Sequence, residues 1–201
     1  MTQNRSLFIL LSGRGSNFIA IHEHIQKGEL KATIAGVLSN LFDAPGLLKA
    51  KEFGYPVHVV AHKGMERRAH ELEVEKIIDR ADPAFIVLAG YMRILTADFI
   101  RKYKHQILNI HPALLPSFPG VHAQKQAWDY GVKLSGCTVH FVDEGTDTGP
   151  VILQRVVPVY DTDTVEDLEA RILEQEHQAY SEAIDLVLRG GWRIEGRRVI
   201  L

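Results

Sequence analysis

The stretch Leu7-Phe8-Ile9-Leu10-Leu11-Ser12-Gly13-Arg14-Gly15-Ser16-Asn17 decides the fold of this 201-residue chain. Its opening apolar run is too short for a typical helix and is bounded by turn residues, which predicts a buried strand. The glycine-rich turn leads directly into Ser16–Lys27, where apolar residues recur with helical spacing. A strand, a tight turn and a helix in this order are typical of the first unit of an α/β fold.

The same alternation continues along the first half of the chain. Four further short apolar runs predict buried strands, at Ile34–Leu38, Val57–Val60, Phe85–Ala89 and Ile107–Ile110. Helical spacing predicts crossover helices between strands, at Ala44–Phe53 and Met65–Arg80. This order predicts a doubly wound α/β fold with a mainly parallel sheet.

After Pro112 the pattern changes to a proline-rich loop followed by shorter elements that we expect to extend the same sheet. The sequence predicts one short helix and two strands, at Ala123–Tyr130, Ser135–Val142 and Val151–Val159. Thr164, with Asp167 three residues later, forms an imperfect capping box and predicts the start of a final helix. We interpret residues 1–201 as a single domain, with an N-terminal half of about residues 1–106 and a C-terminal half of about 107–201.

Composition limits the classes of function. The 23 Lys and Arg balance 25 Asp and Glu, and no stretch concentrates the basic residues, which argues against nucleic-acid binding. Apolar stretches stay far below the roughly 20 residues of a membrane helix, and the first residues do not resemble a secretion signal. The single cysteine, Cys137, excludes an internal disulfide and is expected to be a buried strand residue. We therefore expect a cytoplasmic protein.

The turn after the first predicted strand has the features of an anion site. Backbone N–H groups and the helix dipole would both point at a phosphate held there. A dinucleotide site is disfavoured because Phe18 occupies the third glycine position of that fingerprint. The second strand also ends in Ser39-Asn40 without the acidic ribose ligand, which argues against a nicotinamide dehydrogenase. A merely structural tight turn remains an alternative.

A second group of polar residues lies at the end of the fifth predicted strand. In an extended segment, Asn109 and His111 project to the same side because side chains alternate. An amide donor beside an imidazole suits stabilisation of an oxyanion together with proton transfer. The alternative is that His111 is a structural residue with its hydrogen bonds satisfied.

Asp147 lies in a glycine-punctuated turn between two predicted strands. If this turn reaches the same sheet edge, its carboxylate would favour the charged imidazolium of His111. The alternative is an ordinary solvated loop. Loops after the first, fourth and fifth predicted strands all carry unusual residues, and the carboxyl ends of strands in open α/β sheets bind ligands. We therefore expect these loops to meet in one crevice.

Metal and covalent chemistry are disfavoured. His22 and His24 diverge on a predicted helix, and no His-Glu-x-x-His pattern occurs among the ten histidines. No Gly-x-Ser-x-Gly elbow or cysteine nucleophile context is present. The mechanism that remains is direct attack by the substrate's own amine.

Four segments carry a resemblance to a known family: Gly13–Asn17, Ala89–Leu95, Asn109–Pro116 and Asp147–Ile152. They resemble folate-dependent phosphoribosylglycinamide formyltransferases over nearly the whole chain. Asn-Ile-His followed by Leu-Leu-Pro is shared by the wider group, including methionyl-tRNA formyltransferase and formyltetrahydrofolate deformylase. Within this group, the segment Pro116–Ala123 and the short chain most resemble the formyltransferases that act on glycinamide ribonucleotide.

The resemblance implies a formyltransferase-like Rossmann-type fold. It also implies transfer of the formyl group of 10-formyltetrahydrofolate to the amine of glycinamide ribonucleotide, by a monomer or homodimer without metal. Catalytic roles are implied for Asn109, His111 and Asp147. Contacts with the ribonucleotide are implied for Gly13, Gly15, Ser16, Asn17 and Glu176. Contacts with folate are implied for Arg67, Met92, Arg93, Ile94, Leu95, Asn109, Val142 and Asp147.

Some alternatives stay open beside this resemblance. Glu176 could instead lie on an exposed helix face. Arg14 departs from the asparagine found in many members, and it could add charge near the phosphate or simply face solvent. Hydrolysis of 10-formyltetrahydrofolate by water would use the same oxyanion site. A catalytically silent folate-binding module on the same fold is a further alternative, because a fold alone does not confer function.

Overall fold

The computed structural model of the protein describes residues 4–201. The chain forms two compact units, one ending at Leu108 and one running from Asn109 to Leu201. Strand β5, Ile107–His111, is the element in which the chain passes from the first unit to the second.

Unit 1 is an alternation of strands and helices. Its elements are β1 Ser6–Leu11, α1 Ser16–Gln26, β2 Thr33–Ser39, α2 Pro45–Glu52, β3 Val57–Val59, α3 Arg67–Ala81, β4 Phe85–Leu88, α4 Ala97–Lys102 and the start of β5. The strands lie in the order β3-β2-β1-β4, and each neighbouring pair is parallel. Strand order reverses between β1 and β4, which makes their carboxyl ends the topological switch point where open α/β sheets bind ligands.

Strand β1 is the centre of the unit 1 core. Leu7 to Leu11 are fully buried, and they pair in register with β4 from Leu7 opposite Phe85 to Leu10 opposite Leu88. Such continuous apolar strands are typical of a parallel sheet covered on both faces. Gly36 on β2 makes room for the ring of Phe8, since a Cβ there would lie 2.7 Å from that ring.

Unit 2 is built on an antiparallel pair of long strands. Its elements after β5 are α5 Ala123–Tyr130, β6 Leu134–Phe141, β7 Val151–Pro158, α6 Val165–Arg189, β8 Arg193–Glu195 and β9 Arg198–Ile200. The strand order is β6-β7-β9-β8, with β7 and β9 parallel and the other pairs antiparallel. The apolar face of α6 packs on β6 and β7.

The predicted α/β class with a mainly parallel sheet is confirmed, as are the predicted strands and helices to within about two residues. The capping box is complete rather than imperfect, since Thr164 and Asp167 exchange both hydrogen bonds. Two features were not predicted: the six-residue helix α4 and the β8–β9 hairpin. Each is too short to show a period in the sequence.

Cys137 is a buried strand residue, as predicted. Burial raises the pKa of its thiol to about 12, so the thiol stays protonated and unreactive. Within residues 4–201, no helix is long and apolar enough to cross a membrane.

Candidate active site

His111 ends strand β5 with its side chain only 5% exposed. Its Nε2 lies 2.8 Å from the carbonyl oxygen of Phe118, and because a carbonyl can only accept, Nε2 carries a hydrogen. Its Nδ1 lies 3.3 Å from Oδ2 of Asp147. The imidazole is therefore held in one orientation between a carbonyl and a carboxylate.

Asp147 lies in the loop between β6 and β7 and adopts a left-handed conformation with φ of 54°. Aspartate is one of the few residues that tolerate this region. Its Oδ2 accepts a hydrogen bond from the Gly120 N–H at 2.8 Å. At the end of the loop, a Cβ on Gly149 would lie 1.8 Å from the carbonyl oxygen of Phe141, so only glycine fits there.

His140 completes the group and was not predicted from the sequence. It sits where the pairing of β6 with β7 shifts register, between Val139 and His140, and such bulges re-aim side chains. Its Nδ1 donates to the Phe141 carbonyl at 2.9 Å, which leaves Nε2 as an acceptor. Burial lowers the pKa of His140 below its usual 6.5, so the ring is neutral at pH 7.

Asn109 is half-buried on β5, and its Nδ2 lies 3.2 Å from Nε2 of His140. Because Nε2 of the neutral ring accepts, this contact fixes the Asn109 amide with its nitrogen toward His140. An amide nitrogen carries two hydrogens, and one of them is used here. His140 Nε2 also lies 3.8 Å from Oδ1 of Asp147. We call these four residues (Asn109, His111, His140 and Asp147) the acid–histidine cluster.

The cluster is braced by the loop that follows β5. Oγ1 of the fully buried Thr138 donates to the Ala113 carbonyl at 2.7 Å and accepts from the Leu115 N–H at 3.0 Å. Gln154 on β7 donates to the Leu115 carbonyl at 2.9 Å. These bonds fix the start of the loop whose later residue Phe118 holds His111.

The predicted phosphate-binding turn, residues 13–17, lies in unit 1 between β1 and α1. Gly15 is the N-cap of α1 and is left-handed, with φ of 70°. The first N–H groups of a helix have no partner within it, which suits them to bind an anion. A Cβ on Gly13 would meet nothing within 4 Å, and Arg14 is exposed.

The predicted folate-binding loop, Met92–Leu95, follows β4 in the same unit. Met92 and Ile94 are 78% and 70% exposed, while Arg93 and Leu95 are half-buried. Arg67, the first residue of α3, is exposed.

Two predicted residues of unit 2 lie outside the cluster. Glu176 is buried on the inner face of α6, so the alternative of an exposed helix face is wrong. Its negative charge contributes to the raised pKa of Cys137 on β6. Val142 is half-buried just beyond the end of β6.

The structure thus brings together Asn109, His111 and Asp147, and it places the two loops of unit 1 at neighbouring strands of one sheet. That all of them line one crevice stays a prediction. In residues 4–201, no three His, Cys, Asp or Glu side chains are grouped so that they could hold a metal ion.

Sequence relatives point to one family. Residues 5–184 match the family model described as formyl transferase. The chain is 40% identical over 193 residues to phosphoribosylglycinamide formyltransferase of Escherichia coli, covering 96% of this chain and 88% of that protein. It is 43% identical over 188 residues, 92% of this chain, to trifunctional purine biosynthetic protein adenosine-3 of Drosophila pseudoobscura pseudoobscura. The chain spans only 14% of the length of that trifunctional relative.

Solved structures share the fold over the whole chain. Glycinamide ribonucleotide transformylase 1 from Symbiobacterium toebii matches with a TM-score of 0.96 and 42% identity, covering 100% of this chain and 95% of that one. A formyltetrahydrofolate deformylase from Pseudomonas syringae pv. tomato matches with a TM-score of 0.92 and 28% identity, covering 100% of this chain and 66% of that one. Since the family model covers most of its length, the chain belongs to the formyl transferase family.

Proposed function

We propose that this protein transfers the formyl group of 10-formyltetrahydrofolate to the amine of glycinamide ribonucleotide. The products are formylglycinamide ribonucleotide and tetrahydrofolate, in a step of purine biosynthesis. The observation that carries the proposal is the acid–histidine cluster in a chain 40% identical to a phosphoribosylglycinamide formyltransferase over nearly its full length. The enzyme works in the cytoplasm, as a monomer or homodimer.

The reaction is a direct acyl transfer between two bound substrates. The amine nitrogen attacks the formyl carbon, and the carbonyl electrons move onto oxygen to give a tetrahedral adduct. When the adduct collapses, the bond from the formyl carbon to N10 breaks, and a proton passes from the attacking amine to N10. Holding both substrates together supplies a large part of the rate enhancement.

Asn109 is the donor for the oxyanion of the adduct. His140 accepts one hydrogen of its amide nitrogen, which orients the amide and leaves the second hydrogen for the developing negative charge. A donor fixed in advance stabilises the transition state without reorganisation, and such donors are worth about 10²–10³ in turnover.

His111 supplies positive charge and proton transfer, held by Asp147. Both of its ring nitrogens already have protein partners, the Phe118 carbonyl and the Asp147 carboxylate. Proton donation to the substrate from Nε2 therefore requires the Phe118 carbonyl to give way to a substrate oxygen. Before that exchange, the charged ring acts on the adduct through its field.

Substrate contacts follow the predicted division. The phosphate binds the N-terminus of α1, and Glu176 binds the glycinamide part. Residues proposed for the ribonucleotide are Gly13, Gly15, Ser16, Asn17 and Glu176. Residues proposed for the folate are Arg67, Met92, Arg93, Ile94, Leu95, Asn109, Val142 and Asp147.

The test is the absorbance change when purified protein meets 10-formyltetrahydrofolate with and without glycinamide ribonucleotide. Consumption of the folate that requires the ribonucleotide is the expected result. Equal consumption without it would overturn the proposal in favour of hydrolysis, since the cluster does not by itself distinguish water from an amine. No consumption in either cuvette would indicate a silent binding module.

A further inference from the structure

The segment Gly90–Thr96, which we call the Met92 loop, connects β4 to α4 and contains the proposed folate contacts. Both of its ends are held by buried polar side chains from other parts of unit 1. Neither side chain belongs to the proposed catalytic or substrate-binding residues.

Ser12 holds the first end. It is buried between β1 and the phosphate-binding turn, and its N–H donates to the Gly90 carbonyl at 3.0 Å. Its hydroxyl donates to Oδ1 of Asn40 at 2.5 Å, while the Met92 N–H donates to the same hydroxyl at 2.8 Å. A hydroxyl has one hydrogen and two lone pairs, so donation to Asn40 fixes its lone pairs for Met92.

Glu71 holds the second end. It projects from α3 and is only 3% exposed. Its Oε1 accepts from the Thr96 N–H at 2.7 Å, and its Oε2 accepts from the Thr96 hydroxyl. Thr96 in turn caps α4 through the Phe99 N–H. The nearest cation is Arg68, with Nη1 3.8 Å from Oε2.

A buried carboxylate is costly unless hydrogen bonds satisfy its oxygens. Here both oxygens of Glu71 bind one residue of the Met92 loop, whereas Glu75, one turn further along α3, binds Arg68 and Lys102. The two buried acids of α3 thus have different tasks. Glu71 holds the Met92 loop, and Glu75 binds Arg68 of α3 and Lys102 of α4.

Between the two ties, the loop exposes apolar side chains. Met92 and Ile94 lie mostly in solvent on a backbone that is fixed before and after them. In the proposed function, these exposed apolar side chains contact the folate. Fixing the loop in advance lowers the entropy lost on binding.

We infer that Ser12 and Glu71 are positioning residues that fix the Met92 loop from its two ends for a flat aromatic ligand of the pterin class. The inference rests on the proposed function, in which this loop binds folate. Because Ser12 directly precedes Gly13, it also ties the loop to the phosphate-binding turn. Loss of Ser12 therefore affects both ligands, whereas loss of Glu71 affects the folate alone.

Equilibrium binding of two unreactive probes tests this in the full-length protein. The probes are 5-formyltetrahydrofolate for the loop and ribose 5-phosphate for the turn. We expect Glu71→Ala to raise the Kd of the folate probe about tenfold, the effect of one to two lost hydrogen bonds, and to leave the Kd of ribose 5-phosphate unchanged. Ser12→Ala is expected to raise both, and Ser12→Thr and Glu71→Gln to restore binding in part.

Glu75→Ala is the matched control, because it removes a buried acid from the same helix without touching the loop. It is expected to lower the melting temperature but not the affinity for the folate probe. In turnover, Glu71→Ala should raise KM for 10-formyltetrahydrofolate with kcat nearly unchanged, a split that general destabilisation does not produce.

Wild-type affinity for the folate probe in both Ser12→Ala and Glu71→Ala would overturn the inference and leave the proposed function standing. An equal loss in Glu75→Ala would also overturn it, because the effect would then follow from stability. If the wild-type protein bound neither probe, the proposed function itself would fail, and the inference would fall with it.

Discussion

The phosphate-binding turn of unit 1 and the acid–histidine cluster of unit 2 are built from different parts of the chain. The turn offers backbone N–H groups at the start of α1, and its glycines matter because they lack side chains. The cluster offers side chains, namely two imidazoles, an amide and a carboxylate, which hold one another in place. A backbone site should tolerate changes in the chemistry of nearby side chains, whereas a side-chain site should not.

The glycines of the two regions sharpen this difference. Gly149 in the cluster's loop lies against the Phe141 carbonyl, so the fold itself requires it. Gly13 in the turn faces open space, so the fold does not require it. Only a ligand would make a side chain at Gly13 costly.

The largest effect is expected from the cluster. His111→Ala and Asp147→Ala should each lower kcat by about 10²–10³, because each removes charge or proton transfer from the transition state. Ribose 5-phosphate should still bind as in the wild type. Turnover assays with circular dichroism to check folding provide the measurement, and His105→Asn, a histidine outside the cluster, is the control. Near-normal kcat in either cluster variant would remove the cluster from catalysis.

A shape change at the cluster's loop comes next. Gly149→Ala should destabilise the protein by roughly 1–3 kcal/mol and reduce activity, because its Cβ must displace the Phe141 backbone and with it the loop carrying Asp147. Urea unfolding at pH 7 measures the loss. An unchanged unfolding midpoint would show that this loop is not held as described.

The matching change in the turn should behave differently. Gly13→Ala is expected to have a free energy of unfolding within about 0.5 kcal/mol of that of the wild type. It should nevertheless bind ribose 5-phosphate more weakly, because the added methyl group lies where the phosphate approaches. Titration calorimetry and the same urea series separate the two effects. If affinity for ribose 5-phosphate were unchanged, the open space over Gly13 would not be the phosphate site.

His140 should have a smaller effect than His111. His140→Ala leaves the Asn109 amide without the acceptor that orients it, which should lower kcat roughly tenfold, or about 1.4 kcal/mol. The KM values should change little, since the oxyanion forms only in the transition state. A kcat loss as large as that of His111→Ala would instead make His140 a proton donor.

The smallest effect concerns the dependence of the unfolding free energy on pH. Burial lowers the pKa of His140 in the folded protein, so the stability it contributes is complete above about pH 6.5 and is lost as pH falls through the lowered pKa. His140→Gln should flatten the fall in unfolding free energy below pH 6.5 by up to about 1.4 kcal/mol per pH unit. The other histidines with lowered pKa values are common to both proteins and cancel in the difference; they are His22, His58, His70 and His105. If the unfolding free energies of the wild type and His140→Gln had the same dependence on pH, the pKa of His140 would be the same in the folded and the unfolded protein.

Sequence alone predicted the fold and the pair Asn109 and His111 because both depend on local pattern, whereas Asp147 was added from the position of its turn and from the family resemblance. The strand period placed Asn109 and His111 on one side, and the short apolar runs marked every strand of unit 1. His140 was missed because its position depends on a register shift between two strands, which leaves no sequence signal. Glu71 and Ser12 were missed because their partners are 25 and 80 residues away in the chain.

The second partner of His111, the Phe118 carbonyl, could not be predicted either. Its hydrogen bond to the Phe118 carbonyl depends on a left-handed residue in a proline-rich loop, a conformation that no local rule assigns to phenylalanine. The burial of Glu176 likewise follows from which face of α6 meets the sheet.

The most direct test of the central claim is a single turnover with folate labelled on the formyl carbon, in the presence of saturating glycinamide ribonucleotide. Recovery of the label in formylglycinamide ribonucleotide, with none in free formate, is the predicted result. Label recovered chiefly as formate would contradict the account, because water rather than the amine would then be the acceptor served by the cluster.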